Sequence, residues 1–209
     1  MTPRRPLPGR PRGVAAVEFA LLLPLLLLLL FGMIDAARAL QANIIMVNLG
    51  REGANLVARG GTGLDSGAQD IMYALMASAP PLNVNKQGMI YITRVIGVVS
   101  GGTAKSVVLD QYRWDDATRK LGFSYTYGYG ASAPSSRVYG CTSWNAGACT
   151  SVASNARPTT TVMNGQLDDG EVVYVVETFY RYDMMLTGFA AGGFALPTFG
   201  PDLYSFTVF

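Results

Sequence analysis

Gly13-Val14-Ala15-Ala16-Val17-Glu18-Phe19-Ala20-Leu21-Leu22-Leu23-Pro24 runs on through Leu25 to Phe31, and the reading of this stretch decides the fold. Between Val14 and Ile34 the only charged residue is Glu18. Residues 14–34 are long enough to cross a bilayer as a helix. Pro24 lies inside it, where a helix can kink. Arg4, Arg5, Arg10 and Arg12 precede it, interleaved with Pro3, Pro6, Pro8 and Pro11. Residues 1–13 therefore read as an unfolded basic leader. By the positive-inside rule they lie in the cytoplasm, with the bulk of the chain outside. A carboxylate within a membrane segment costs about 2.5–3.5 kcal/mol on insertion scales. Glu18 therefore calls for a task or a partner.

Beyond Ile34 the helix is expected to continue out of the membrane. Leu40, Ile44, Val47, Ala54 and Val57 recur at helical spacing, while Arg38, Gln41, Asn48, Arg51, Glu52 and Asn55 are polar. Gly60-Gly61-Thr62-Gly63 is the predicted stop. A helix over 14–59 would be about 70 Å long, half in lipid and half against a domain formed by residues 60–209. A second helix is predicted over 65–79, from Ile71, Leu75 and Met76, ending at Pro80-Pro81. Met89–Val99 and Ser106–Trp114 read as strands of a hairpin turning at Ser100-Gly101-Gly102-Thr103. Phe123, Tyr125, Tyr127 and Tyr129 alternate with small residues, at strand period. Residues 130–165 read as a long loop, Glu171–Tyr182 as a strand, 187–202 as a Gly/Pro connection and 203–209 as a last strand. No internal repeat is present. The order predicts an α+β fold: a long transmembrane helix, a second helix and an antiparallel sheet with one face covered by the helices.

The N-terminal residues resemble a known processing site. Glycine, four residues and then Glu with an aromatic neighbour, at the edge of an apolar helix, is similar to the type IV pilin and pseudopilin pattern. The closest resemblance is to the TadE/TadF-like minor pseudopilins of the tight-adherence (Tad/Flp) pilus. Gly32-Met33-Ile34-Asp35-Ala36-Ala37-Arg38-Ala39-Leu40 resembles that family's membrane exit. Gly50-Arg51-Glu52-Gly53-Ala54 resembles its "AREGA" stretch, with Gly50 where Ala is usual, and Leu203–Phe209 resembles a frequent ending. The specific signal spans roughly the first 60 residues, and the remainder matches in layout alone.

The resemblance implies a pilin-like layout and cleavage after Gly13 by a prepilin peptidase, which makes Val14 the new N-terminus. It implies that Glu18, beside Phe19, neutralises the N-terminal amine of a neighbouring subunit during assembly. The implied partners are the peptidase, other pilins and pseudopilins through the N-terminal helix, and the inner-membrane assembly platform. The implied location is the bacterial inner membrane, single-pass, with the domain in the periplasm and entry into a pilus left open. Flp-type major pilins are much smaller, so the size of this chain implies a priming, tip or assembly role in adhesion. TadE and TadF share the pattern and are not separated by it.

Two other readings of the apolar run exist. One is an uncleaved signal anchor on a periplasmic scaffold or binding domain. The other is a cleaved secretory signal, for which Ala37-Arg38-Ala39 offers a small-x-small site that would start a secreted protein at Leu40. Neither needs a charge at position 18. Arg4-Arg5 suggests a twin-arginine signal, but Pro6-Leu7-Pro8 fits that motif poorly.

Composition narrows the chemistry. The chain has 209 residues and a mean hydropathy of +0.25. Four of its 16 basic residues lie in the leader, leaving 12 against 14 acidic ones beyond it. The basic pI of about 8.6 therefore carries no nucleic-acid signal. With no histidine, Ser-His-Asp and Cys-His catalytic sets and the common zinc sites are excluded. Lys105-Ser106 are strand neighbours that point to opposite faces. Gly97–Ser106 lacks the lysine a phosphate loop needs after Gly102. Asp168-Asp169-Gly170-Glu171 reads as an acidic turn rather than a calcium loop, since the EF-hand spacing is missing. The Tyr125-Tyr127-Tyr129 run reads as one side of a strand, either core-facing or a contact stripe. Glu177 and Arg181 share a strand face, where a surface ion pair contributes little. Cys141 and Cys149 are expected to form a disulfide in an oxidising compartment. The expectation is a non-enzymatic protein with no cofactor and no metal.

Overall fold

The computed structural model describes residues 13–59, 64–115, 133–152, 157–185, 190–191, 194–195 and 202–209. The leader, the Gly60–Gly63 stop and the Phe123–Tyr129 alternation lie outside these residues, apart from Gly13.

Helix α1 (Val14–Arg59) is continuous for 46 residues and carries Pro24 within it. Helix α2 (Leu64–Ala77) and the single-turn α3 (Val84–Gln87) follow. Then come β1 (Gly88–Ser100), β2 (Thr103–Arg113), β3 (Trp144–Asn145), β4 (Ala148–Cys149), β5 (Thr159–Thr160), β6 (Val172–Arg181), β7 (Ala190–Ala191), β8 (Phe194–Ala195) and β9 (Asp202–Val208). Strands β7 and β8 form a small separate hairpin inside the predicted Gly/Pro connection. The main sheet runs β3-β4-β2-β1-β6-β9, with β5 also on β2, and every pairing is antiparallel. The β1–β2 turn uses Gly101 and Gly102 at φ +59° and +78°, values that a residue with a Cβ rarely adopts.

The outer half of α1 lies on one face of the sheet, and of the predicted stripe Ala54 and Val57 are buried and Val47 half-buried, while its first two members are not. Ala42, Met46, Leu49, Gly50, Gly53, Ala54 and Val57 are buried, whereas Leu40 and Ile44 remain 66 % and 61 % exposed. Small residues decide this. At Gly53 a Cβ would stand 2.9 Å from Leu75 Cδ1 and 3.2 Å from Val176 Cγ1, and at Gly50 it would stand 3.0 Å from Thr207 Oγ1. The helix therefore approaches β6 and β9 along its glycine side, and a larger residue there would hold the surfaces apart. Gly53→Val is expected to cost about 1–3 kcal/mol by overpacking, read as a lower melting temperature of the full chain in detergent. On this face α1 and α2 bury Met46, Met72, Leu75, Ile90, Ile92 and Val176 in one core.

The opposite face is not open. Residues 133–152 and 157–170 lie over it as a third layer, in which Val138 and Leu167 pack on Val95, Val173 and Val175. The segment read from sequence as a long loop is thus a cover for the second sheet face. Its acidic turn is in place: Gly97 N–H donates to Glu171 O at 2.8 Å and Gly170 N–H to Gly97 O at 2.9 Å. A Cβ at Gly97 would lie 2.2 Å from Asp168 O, so only glycine permits this approach. The Asp169 carboxylate accepts from Val99 N–H at 2.9 Å.

Cys141 and Cys149 are bonded, closing a loop around the β3–β4 turn. The turn docks on the end of β2, where Arg113 N–H donates to Gly147 O. Gln69 on α2 clamps the same end: its Nε2 donates to Arg113 O at 2.8 Å, and its Oε1 accepts from Asp115 N–H at 3.0 Å. For so short a loop, Cys141→Ser is expected to cost about 2–3 kcal/mol, seen as a melting-temperature drop that dithiothreitol reproduces in the native chain.

Candidate assembly site

Gly13 sits in a turn at the head of α1, and its carbonyl accepts the Val17 N–H at 3.2 Å. Val14 is the first helical residue and is 53 % exposed. Glu18 follows four residues on, so Val14 and Glu18 lie one helical turn apart, about 6 Å along the axis. Phe19 is 58 % exposed. Every residue from Val14 to Met33 is exposed to the surroundings of the chain. An 18-residue window of this helix has a mean hydropathy of 2.7. Leucine, alanine and valine sustain the helix across Pro24, and no part of the folded domain covers them. The helix is thus an apolar rod long enough to cross a bilayer, with one carboxylate near its tip.

At the other end of the rod, Asp35 is 2 % exposed and its Oδ1 accepts the Met185 N–H at 3.0 Å. Arg38 contacts the Met185 sulfur. The segment after β6 is thereby tied to the point where α1 meets the domain. Burial, and then the Asp35 charge, raises the Tyr182 phenol above its usual range. The sequence placed Asp35 in the membrane exit but gave no sign of its burial.

A second polar centre lies between the sheet and its loop cover. Glu177 is fully buried. It accepts from Arg137 N–H at 2.8 Å, from Tyr204 Oη–H at 3.0 Å and from the Ser136 hydroxyl. Gln111 Nε2 donates to Ser136 Oγ at 2.9 Å and to Thr93 Oγ1 at 3.0 Å. Burial raises the Tyr204 phenol, and the adjacent Glu177 carboxylate raises it further. Tyr91 is pushed up to about 12, chiefly by burial. The surface pairing expected for Glu177 and Arg181 is therefore corrected. Glu177 fastens residues 136–137 to the sheet, and Arg181 pairs with Asp202 at 3.4 Å. The loop cover that buries Glu177 comes from forty residues upstream, a separation that strand periodicity does not reveal.

Among the described residues no cluster of three or more metal-ligating side chains occurs. The cavity beside Tyr73, Pro81 and Trp114 is apolar, and the one beside Tyr91 and Arg113 abuts the disulfide-bonded Cys141. The features of the chain that remain chemically conspicuous are Gly13 and Glu18 at the tip of an uncovered apolar helix.

Residues 13–55 match the family model of TadE-like protein. The match covers the head of α1, its apolar span, Asp35 and the glycines that seat the helix on the sheet, and it stops before the domain proper. No curated protein matches the chain, and no solved structure matches it. The TadE-like segment is thus one helix with two roles: bare and apolar from Val14 to Met33, glycine-lined and packed from Ala42 to Val57.

Proposed function

We propose that this chain is a minor pseudopilin of a tight-adherence (Flp-type) pilus machine, structural rather than catalytic. The observation that carries the reading is the TadE-like match over residues 13–55, with Gly13 and Glu18 flanking the first turn of a bare apolar helix. The leader stays in the cytoplasm, α1 spans the inner membrane once, and the sheet domain lies in the periplasm. A prepilin peptidase hydrolyses the Gly13–Val14 peptide bond, adding water across it and leaving a free amine on Val14. Amine and carboxylate are each costly in hydrocarbon, and pairing Glu18 of one subunit with the Val14 amine of a neighbour offsets part of that cost. Residues 19–34 then pack against other pilin-like helices, the assembly platform receives the processed subunit, and the periplasmic domain sets partner choice in priming or tip formation.

The test is the N-terminal residue of the membrane-extracted protein, determined by mass spectrometry with and without the cognate peptidase. A peptidase-dependent start at Val14 is the expected result. An intact leader would make the chain a signal-anchored scaffold, and a start at Leu40 would make it a secreted protein.

A further inference from the structure

Among the described residues, the main sheet closes one of its two edges and leaves the other open. On the β2 side, Ser106 pairs with Thr160, Val108 N–H donates to Pro158 O, and Tyr112 pairs with Ala148 in the disulfide-closed turn. The far edge is β9. Tyr174 and Phe209 exchange both backbone hydrogen bonds, so positions 207, 205 and 203 also face β6. Tyr204, Phe206 and Val208 therefore aim their N–H and C=O groups away from the sheet. Among the described residues no hydrogen bond meets those groups. An open edge is a liability that proteins usually blunt with lysine, proline or a bulge. Residues 203–208 contain none of these.

A trough of about 440 Å³ runs beside this edge, between the strand and the loop cover. Val138, Val162, Met163, Phe206 and Val208 line it, and the exposed Arg137 guanidinium lies 4.0 Å over the Tyr204 ring at one side. Donors and acceptors along an edge, with an apolar trough on one side, are what an added strand uses. The backbone pairs with the edge, and alternate side chains enter the trough.

We propose that β9 receives an extended segment of a different protein, about five to seven residues long, with alternate small or β-branched apolar side chains and a carboxylate near Arg137. A second copy does not fit. Thr178 donates to Met46 O, and Gly53 approaches Val176, so α1 runs parallel to β9. Twofold β9–β9 pairing would point the two membrane spans in opposite directions, and head-to-tail pairing meets a β2 edge that is already covered. The exclusion of a second copy rests on the membrane-anchored reading, which the N-terminal mass measurement tests separately.

The experiment uses the full chain in lipid nanodiscs and a synthetic peptide, Asp-Val-Thr-Val-Thr-Val-Thr, at millimolar concentration. Amide exchange of Tyr204, Phe206 and Val208 is expected to slow by about tenfold or more on adding the peptide. The same peptide N-methylated at alternate amides, so that it cannot pair with an edge, is expected to have no effect. Phe206→Pro removes an outward N–H at a position where an edge strand tolerates proline, and is expected to abolish the protection. Should that variant fail to fold, Val208→Lys keeps the backbone and places a charge in the trough, with the same expected loss. Equal effects of both peptides, or no slowing with either, would overturn the proposal. So would amides at 204, 206 and 208 already as protected in the free chain as those at 203, 205 and 207, because the edge would then be occupied by this chain or by a second copy.

Discussion

Replacing Glu18 with Ala is expected to leave the chain in the membrane while lowering its recovery in sheared pili by about a hundredfold or more. Loss of one member of a desolvated ion pair costs about 3–5 kcal/mol, and every 1.4 kcal/mol is about a factor of ten. Insertion itself should improve, since Ala removes the one charge between Val14 and Ile34. The two effects therefore separate in one experiment. Immunoblots of membrane and pilus fractions should show the variant accumulating in the first and vanishing from the second. Cleavage after Gly13, read by mass, provides the control that distinguishes a failure of assembly from a failure of processing. Normal piliation by Glu18→Ala would sink the charge-pairing mechanism.

The second large effect is expected at Glu177. Ala at this position leaves Arg137 N–H, the Tyr204 hydroxyl and the Ser136 hydroxyl without their acceptor inside the protein. Buried donors left without an acceptor, together with the cavity, are expected to destabilise the domain by about 3–5 kcal/mol. For a chain of this size that is a melting-temperature fall of about 10 °C. Because these bonds tie the loop cover to the sheet, protease cleavage should appear first within residues 133–139. Glu177→Gln retains one acceptor oxygen and should fall between the two. A melting temperature unchanged by Glu177→Ala would show that the loop cover is held by its apolar contacts alone.

Much of the architecture was legible in the sequence because its signals are local. An apolar run of bilayer length, a Gly-Gly turn and a segment rich in Val and Tyr each report a backbone state through neighbouring residues. They predicted α1, α2, the β1–β2 hairpin, β6 and β9, with ends within a few residues of those observed. The spacing of Gly13, Val14 and Glu18 at the head of α1 was legible for the same reason, since they lie within six residues of one another.

Other features were decided by packing between distant segments. Helical spacing put Leu40 and Ile44 in one stripe with Val47, Ala54 and Val57, yet Leu40 and Ile44 stay exposed. The structure turns Gly50 and Gly53 inward beside Ala54 and Val57, and at both glycines a Cβ would crowd side chains, Thr207 at the first and Leu75 and Val176 at the second. Glu177 looked like a surface charge because it shares a strand face with Arg181, and nothing local shows that Ser136 and Arg137 lie above it. The Ser- and Gly-rich segment 130–165 has weak periodicity, so the role of its described residues as a cover emerges only when Val138 and Val162 join the cluster of Val95 and Val175. By itself the sequence determined the long apolar helix, the order of the elements and the likeness at the N-terminus, all set by local hydropathy and spacing. The tertiary structure alone decided that Gly50 and Gly53 face the sheet, that both sheet faces carry a cover, and that β9 is the open edge among the described residues, because each depends on contacts between residues far apart in the chain.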